Sequence, residues 1–159
     1  MTLVDPVDLG GSGRTVVIRV RVAENPFQLP RTLVIKQVRE TSTESVSRTG
    51  LGAGDHTAFL REAVSYQFAT ALATHTRPGP SLIAYDLKER LLVLSDLGDA
   101  APFTSLIANP DPSSVTNSLM ALAQALGRMH AATFGREEDF GALLGRAGVA
   151  DSRDGLADQ

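Results

Sequence analysis

The sequence predicts an α+β fold: an antiparallel sheet packed by one helix, followed by a segment that is helical only. Three observations carry this expectation. In residues 15–22, Ile18, Val20 and Val22 alternate with Arg19 and Arg21, the period-two pattern of a half-buried strand. Leu60, Val64, Phe68 and Leu72 recur at every fourth position, one stripe of a helix. Val115, Leu119, Leu122, Leu126 and Met129 follow at spacings of four and three, a second apolar helical face.

The chain has 159 residues, 43% hydrophobic and 21% charged, enough for one domain core or a domain with part of a second. A formal charge of −3 offers no broad attraction to nucleic acid or to an anionic membrane, so neither is expected as a partner. With no cysteine, disulfides, thiolate metal sites and cysteine nucleophiles are excluded. The first residues lack the basic start and apolar stretch of a signal peptide, and no run approaches the roughly 20 apolar residues of a membrane span. A cytoplasmic protein is expected.

Along the chain, Gly10-Gly11-Ser12-Gly13 precedes the strand 15–22, and Asn25-Pro26 and Leu29-Pro30 mark the turn into a second strand, 32–38. The glycines thus sit in a strand-loop-strand hairpin. Residues 41–54, rich in Ser, Thr and Gly, read as a mobile loop. Asp55 can cap a helix running to about Thr74, and Arg77-Pro78-Gly79-Pro80 stops it. Two short strands follow, 81–86 and 91–94, joined by the charged turn Leu87-Lys88-Glu89-Arg90. The unbroken apolar run 91–94 fits a strand buried on both faces, although periodicity alone does not separate it from a piece of helix. Residues 95–101 read as a connector, and a helix capped by Ser113 or Ser114 carries the 115–129 face, a pattern more often found in a core helix than in a coiled coil. Weak periodicity after Phe140 predicts a tail that is loosely held or disordered.

Two charged residues stand out. Only two of the 15 basic residues are lysines, and Lys36 is one of them, closing Leu33-Val34-Ile35-Lys36. A strand-end lysine is ordinarily solvated, but an ammonium on a flexible stem can also reach an anion from a strand. Glu62 projects beside Phe59 and Tyr66 on the predicted helix, where a carboxylate calls for a cation. If the sheet packs on this helix, Lys36 is an available partner. The glycines match neither a dinucleotide fingerprint, since a strand rather than a helix follows them, nor a Walker loop, since neither lysine follows a glycine. They remain either an ordinary hairpin turn or a flap whose unobstructed backbone N–H groups approach phosphate oxygens.

Taken in order, these segments resemble the N-terminal lobe of the protein-kinase-like fold, in its aminoglycoside and choline phosphotransferase branch. Leu33-Val34-Ile35-Lys36 is similar to that family's Val-Ala-Ile-Lys strand, and Phe59-Leu60-Arg61-Glu62-Ala63 to the helix whose glutamate pairs with the lysine. Residues 91–98 resemble its last strand and hinge. Leu126-Gly127-Arg128-Met129-His130-Ala131-Ala132-Thr133 resembles the helix that opens its second lobe. The resemblance spans roughly Leu9 to Thr133 and implies a five-stranded antiparallel sheet with one packed helix. It implies a nucleotide-binding lobe with hinge over residues 1–98 and an incomplete start of a helical second lobe over 99–159. It also implies ATP as the cofactor, held by Gly10, Gly11, Ser12 and Gly13 as flap, Lys36 on the phosphates, and Glu62 orienting Lys36. Ile18 and Val34 would lie against the adenine, Leu94 at the back of its pocket, and the backbones of Ser95 and Leu97 at its edge.

The sequence departs from the family in two respects. Val16 stands where the protein-kinase flap has its third glycine. More seriously, catalysis there needs a His-x-Asp loop, a following asparagine and a metal-binding aspartate, whereas His130 and Asn117 are the last of their kinds here and both precede that loop. Asp154-Gly155-Leu156 only faintly matches the metal-binding segment, and His130, near the apolar stripe, reads as a packing residue. The expectation is a nucleotide-binding half without its catalytic half, with no catalytic residues in the chain and magnesium expected only with the missing part. A non-catalytic nucleotide-sensing or interaction module is the alternative, with the uncovered helix 113–134 available for self-association or for a partner.

Overall fold

Apolar side chains that alternate along several strands must be buried on a common surface, and one helix with its own stripe can cover only one of the two sheet faces. The computed structural model, which describes residues 1–11, 13–39, 51–77, 79–99, 104–108 and 111–149, is built on that division. Five strands, β1 (Thr2–Gly10), β2 (Thr15–Glu24), β3 (Thr32–Val38), β4 (Leu82–Asp86) and β5 (Leu91–Ser95), form one antiparallel sheet in the order β1-β2-β3-β5-β4. Among the described residues four α-helices accompany it, α1 (Leu51–Thr70), α2 (Thr104–Ile107), α3 (Pro112–Thr133) and α4 (Glu137–Arg146), with a single 3-10 turn at Thr74–Thr76. The fold is α+β with an antiparallel five-stranded sheet.

Register decides which side chains share a face. Val17 pairs with Lys36, Arg19 with Val34, Lys36 with Leu92, and Val34 with Leu94, so these residues line one side of the sheet. There Leu92 and Leu94 are buried with Phe59, Leu60, Ala63 and Val64 of α1, and Val34 and Val38 pack against them. The opposite side buries Val20, Val22 and Leu33 with Ile18, Ile35, Ile83 and Val93 around them. Leu33 and Leu92, at 0% exposure on neighbouring strands, are the innermost side chains of the two faces.

The edge strand β1 was not marked by alternation, and the structure shows why. Asp5 has φ 52° just before Pro6, and the ladder to β2 shifts register between Val4 and Val7. An edge strand tolerates a proline and a bulge because one row of its backbone groups needs no partner.

The α1 helix starts at Leu51, four residues before the expected cap, so Asp55 lies inside the helix and the loop expected over 41–54 is helical from Leu51; residues 41–50 lie outside the described residues. The helix ends at Thr70, and Leu72 is buried just beyond it, short of the expected end near Thr74. Arg77 closes that end: its guanidinium donates to the carbonyls of Thr70 and Leu72 at 3.2 and 3.4 Å and to the Ser81 hydroxyl. A cation on the last carbonyls complements the negative end of a helix. Thr70 ties the same end to the sheet, its hydroxyl accepting the Leu82 N–H at 2.7 Å.

The charged turn between β4 and β5 is as expected, with the Asp86 carboxylate accepting the N–H groups of Lys88 and Glu89 at 2.9 and 3.0 Å. The α3 helix is capped by Asp111 rather than by Ser113 or Ser114. The Asp111 carboxylate accepts the N–H groups of both serines at 3.1 Å, and Pro112 opens the helix where no N–H partner is needed.

The tail after Phe140 differs from expectation. Residues 137–146 are helical, and Leu144 and Val149 are buried in the cluster that includes Phe59 and Leu60 of α1. Gly148, at φ 76°, turns the chain back so that the Val149 N–H bonds the Leu144 carbonyl at 3.0 Å. Weak periodicity hid a short helix with a single docking edge: Phe140, Leu143, Leu144 and Ala147. Residues 150–159, with Asp154, Gly155 and Leu156, lie outside the described residues.

No helix among the described residues is long and apolar enough to cross a membrane.

Candidate functional site

The β3 strand carries Lys36 on the face that α1 covers, because Lys36 lies two residues from Val34 and two from Val38 on that side. On α1, Glu62 precedes the buried Ala63 by one position and so stands at the margin of the helix–sheet contact. The Lys36 ammonium donates to Glu62 Oε1 across this margin, and both side chains are half-buried. The pair thus joins strand to helix and holds the cation at a fixed place on the sheet.

The glycine hairpin closes at the same end of the sheet. Thr15, the first residue of β2, pairs with Val38 of β3, two positions from Lys36, and the Arg39 N–H bonds the Arg14 carbonyl at 2.9 Å just beyond. Gly10 has φ 87° and Gly13 φ 59°, backbone that favours glycine, while a Cβ at Gly11 would fall 2.0 Å from the Thr15 carbonyl oxygen. Gly10 donates its N–H to the Asp8 carboxylate at 2.8 Å. Ser12 lies outside the described residues.

Of the residues expected at the site, Val34, Lys36, Glu62 and Leu94 are brought together on one face of the sheet, and the described glycines stand at its end. Ile18 is not among them. It pairs with Ile35 and packs with Val20, Val22 and Leu33 on the far side of the sheet, so it is separated from Val34 by the sheet itself. Val17, directly opposite Lys36, occupies the near side. The physical reason is parity: a shift of one position along a strand exchanges the two faces. Leu94 is buried, and Ser95 is tied into the sheet, its N–H donating to the Ser81 carbonyl while its hydroxyl accepts the Ser81 N–H, both at 2.9 Å. Leu97 is 66% exposed, immediately after β5 and Asp96. His130 is exposed on α3 and is not a packing residue.

Arg19, not singled out as functional by the sequence, lies on the same face as Lys36. Its Nη1 donates to Asp99 Oδ1 at 2.7 Å and its Nε lies 2.9 Å from Asp96 Oδ2. Asp96 also accepts the Gly98 N–H at 2.9 Å and a hydrogen bond from the Thr32 hydroxyl. Burial alone raises the Asp96 pKa, but the Gly98 N–H, the Thr32 hydroxyl and the Arg19 guanidinium together outweigh it and hold the carboxyl below its ordinary value. Arg19 is raised above its ordinary value, first by its hydrogen bond to Asp99. Because the Asp96 value is depressed in the folded state, the stabilisation is fully present above the ordinary pKa of 3.8. It is lost as pH falls through the lower folded value. Alternating charges at Arg19 and Arg21 were the only sequence signal, and they point equally to solvent.

A cavity of about 390 Å³ opens along α1, lined by Glu62, Ser65, Tyr66, Ala69, Gly79 and Pro80. A second, of about 420 Å³, lies between α1 and α4, where Arg136 covers the Phe68 ring at 5.0 Å and Phe68 meets Phe140 edge-on at 5.5 Å. It is remote from Lys36 in its lining residues. Among the described residues no group of three or more histidine, aspartate or glutamate side chains is placed to hold a metal ion. Chemically, the arrangement offers an ammonium held on the sheet face, at the end of the sheet where the glycine hairpin closes, which suits an anion such as a phosphate chain, and an apolar sheet face leading to a polar exit segment. No protein-family model matches the chain, and no curated protein is similar to it at a significant level.

Proposed function

We propose that this chain is the ATP-binding portion of a small-molecule phosphotransferase of the aminoglycoside phosphotransferase kind, with a kinase-like nucleotide lobe over residues 1–98. The observation that carries the reading is the Lys36–Glu62 ion pair between β3 and α1, at the sheet end where the glycine hairpin closes. An ammonium held by a carboxylate from a neighbouring helix is pre-positioned for a nucleotide phosphate. The sheet order β1-β2-β3-β5-β4, with the chain leaving β5 into the Asp96–Gly98 turn, also supports it. In this reading Val34, with Val17 in place of Ile18, meets the adenine. Leu94 backs the pocket, and the backbones of Ser95 and Leu97 meet the base edge.

The 159-residue chain holds no histidine after His130 and no asparagine after Asn117. On its own, therefore, it binds nucleotide without transferring a phosphoryl group, since the proton acceptor and the metal clamp supply that step. A thermal-shift titration with magnesium-ATP tests the binding: at about 100 times the dissociation constant the ligand adds roughly 2.7 kcal/mol of stability. Lys36→Ala is expected to abolish most of that shift, and an undiminished shift in Lys36→Ala overturns the phosphate assignment. Phosphorylation of any hydroxyl acceptor by the purified chain overturns the non-catalytic part.

A second reading, a non-catalytic module that uses α3 as an interaction surface, is favoured by one observation. None of the 22 residues of α3 is buried, and Leu119, Met120, Leu122 and Leu126 are exposed. Sedimentation that is independent of concentration counts against self-association through this face.

A further inference from the structure

Arg19 stands on β2 opposite Val34 and contacts two carboxylates of the segment that leaves β5, one of them 80 positions along the chain. The two contacts differ in kind. Asp99 is 93% exposed, where an ion pair contributes little. Asp96 has a side chain only 9% exposed, and it gathers Arg19 of β2, Thr32 of β3 and the Gly98 N–H onto one carboxylate. The Gly98 contact closes a two-residue turn around Leu97, and Gly98 itself is at φ 78°, so the direction of the chain here is set locally by Asp96. What anchors that turn to the sheet is the guanidinium together with the Thr32 hydroxyl.

We infer that Arg19 is a positioning residue that fixes residues 96–99 against the sheet and thereby sets where the Leu97 backbone is presented. The guanidinium matters because its Nε lies within ion-pair distance of the largely buried Asp96 carboxylate while Nη1 is turned to Asp99 at the surface, whereas a lysine ammonium is a point charge that serves one of them at a time. The consequence for nucleotide affinity rests on the function proposed above, in which the Leu97 backbone meets the base edge. The anchoring itself is independent of any ligand. A chain segment held in its binding geometry before the ligand arrives raises affinity by the fraction of time it is held.

The test uses the full chain and two readouts. Hydrogen exchange, followed by NMR, is measured at the Leu97 and Gly98 amides, with the Ser95 amide, bonded to the Ser81 carbonyl, as internal control. In Arg19→Met, exchange at Leu97 and Gly98 is expected to rise about tenfold with Ser95 unchanged, and ATP affinity to fall about tenfold. Affinity for inorganic tripolyphosphate, which has no base, is expected to stay the same. Arg19→Lys should fall between wild type and Arg19→Met. Asp96→Asn, of the same size and still able to accept from Gly98, should reproduce the Arg19→Met exchange pattern and serves if that variant folds poorly. Unchanged exchange at Leu97 and Gly98 overturns the inference, as does an equal rise at Ser95, which would indicate general loosening. If the exchange pattern appears but wild type binds neither ATP nor tripolyphosphate, the anchoring stands and the nucleotide reading falls.

Discussion

The central strands and α3 carry comparable apolar patterns and end in opposite situations. On the sheet, Leu33 and Leu92 are fully buried, and α1 covers one face with Phe59, Leu60, Ala63 and Val64. On α3, the stripe Leu119, Leu122 and Leu126 is 45%, 40% and 42% exposed. The pattern of an amphipathic element says that a face is suited to a partner; burial follows only where the tertiary structure supplies one. The difference locates the stability of this chain in the sheet with α1 and α4 packed on it, and leaves α3 with few contacts outside itself.

The sharpest contrast comes from the sheet. Leu92→Ala leaves a cavity between β5 and α1 and is expected to cost about 2–5 kcal/mol by urea unfolding. A loss below about 1 kcal/mol would mean that the sheet is no better packed than a surface. Next comes Leu144→Ala, expected to cost about 2–3 kcal/mol in the same measurement because Leu144 belongs to the same buried cluster as α1. A negligible change there would place α4 with α3 rather than with the sheet. Gly11→Ala drives a Cβ into the Thr15 carbonyl and is expected to cost about 1–3 kcal/mol and to shift the amide resonances of the hairpin, which two-dimensional NMR would show.

On α3 the effects should be smaller and local. Asp111→Ala removes acceptors from two N–H groups and is expected to cost about 0.5–2 kcal/mol, read as loss of helicity by circular dichroism. Leu122→Ala is expected to change global stability by no more than about 0.5 kcal/mol. A cost equal to that of Leu92→Ala would show that the α3 face is covered in solution and would erase the contrast.

Much of this was legible beforehand. The strand 32–38 and its lysine, the period-two pattern of β2, the short strands around the Lys88 turn and the stripe of α1 are all local patterns, because side chains two or four positions apart report on a single element. The Lys36–Glu62 pair was legible as well, since a carboxylate beside apolar residues on a helix and a lysine following an apolar strand run each call for the other. Ile18 was assigned to the adenine by the resemblance, whereas its alternation with Arg19 already grouped it with Val20 and Val22, the face on which it packs. The docking of α4 was hidden by its shortness and by a stripe of only a few side chains. Arg19 looked like a solvated residue until its partners, far along the chain, were brought beside it.

The sequence by itself determined the α+β class, the order of most elements and the identity of the two charges that join β3 to α1, because propensity, periodicity and turn chemistry act over a few residues. Only the tertiary structure decided that Val17 rather than Ile18 shares the face of Lys36, that Arg19 meets the segment after β5, that α4 buries side chains in the core while α3 buries none, and that β1 joins the edge. Each of those depends on register or on contacts between distant segments. A strand slipped by one residue or a helix left unpacked changes them all without altering any local pattern.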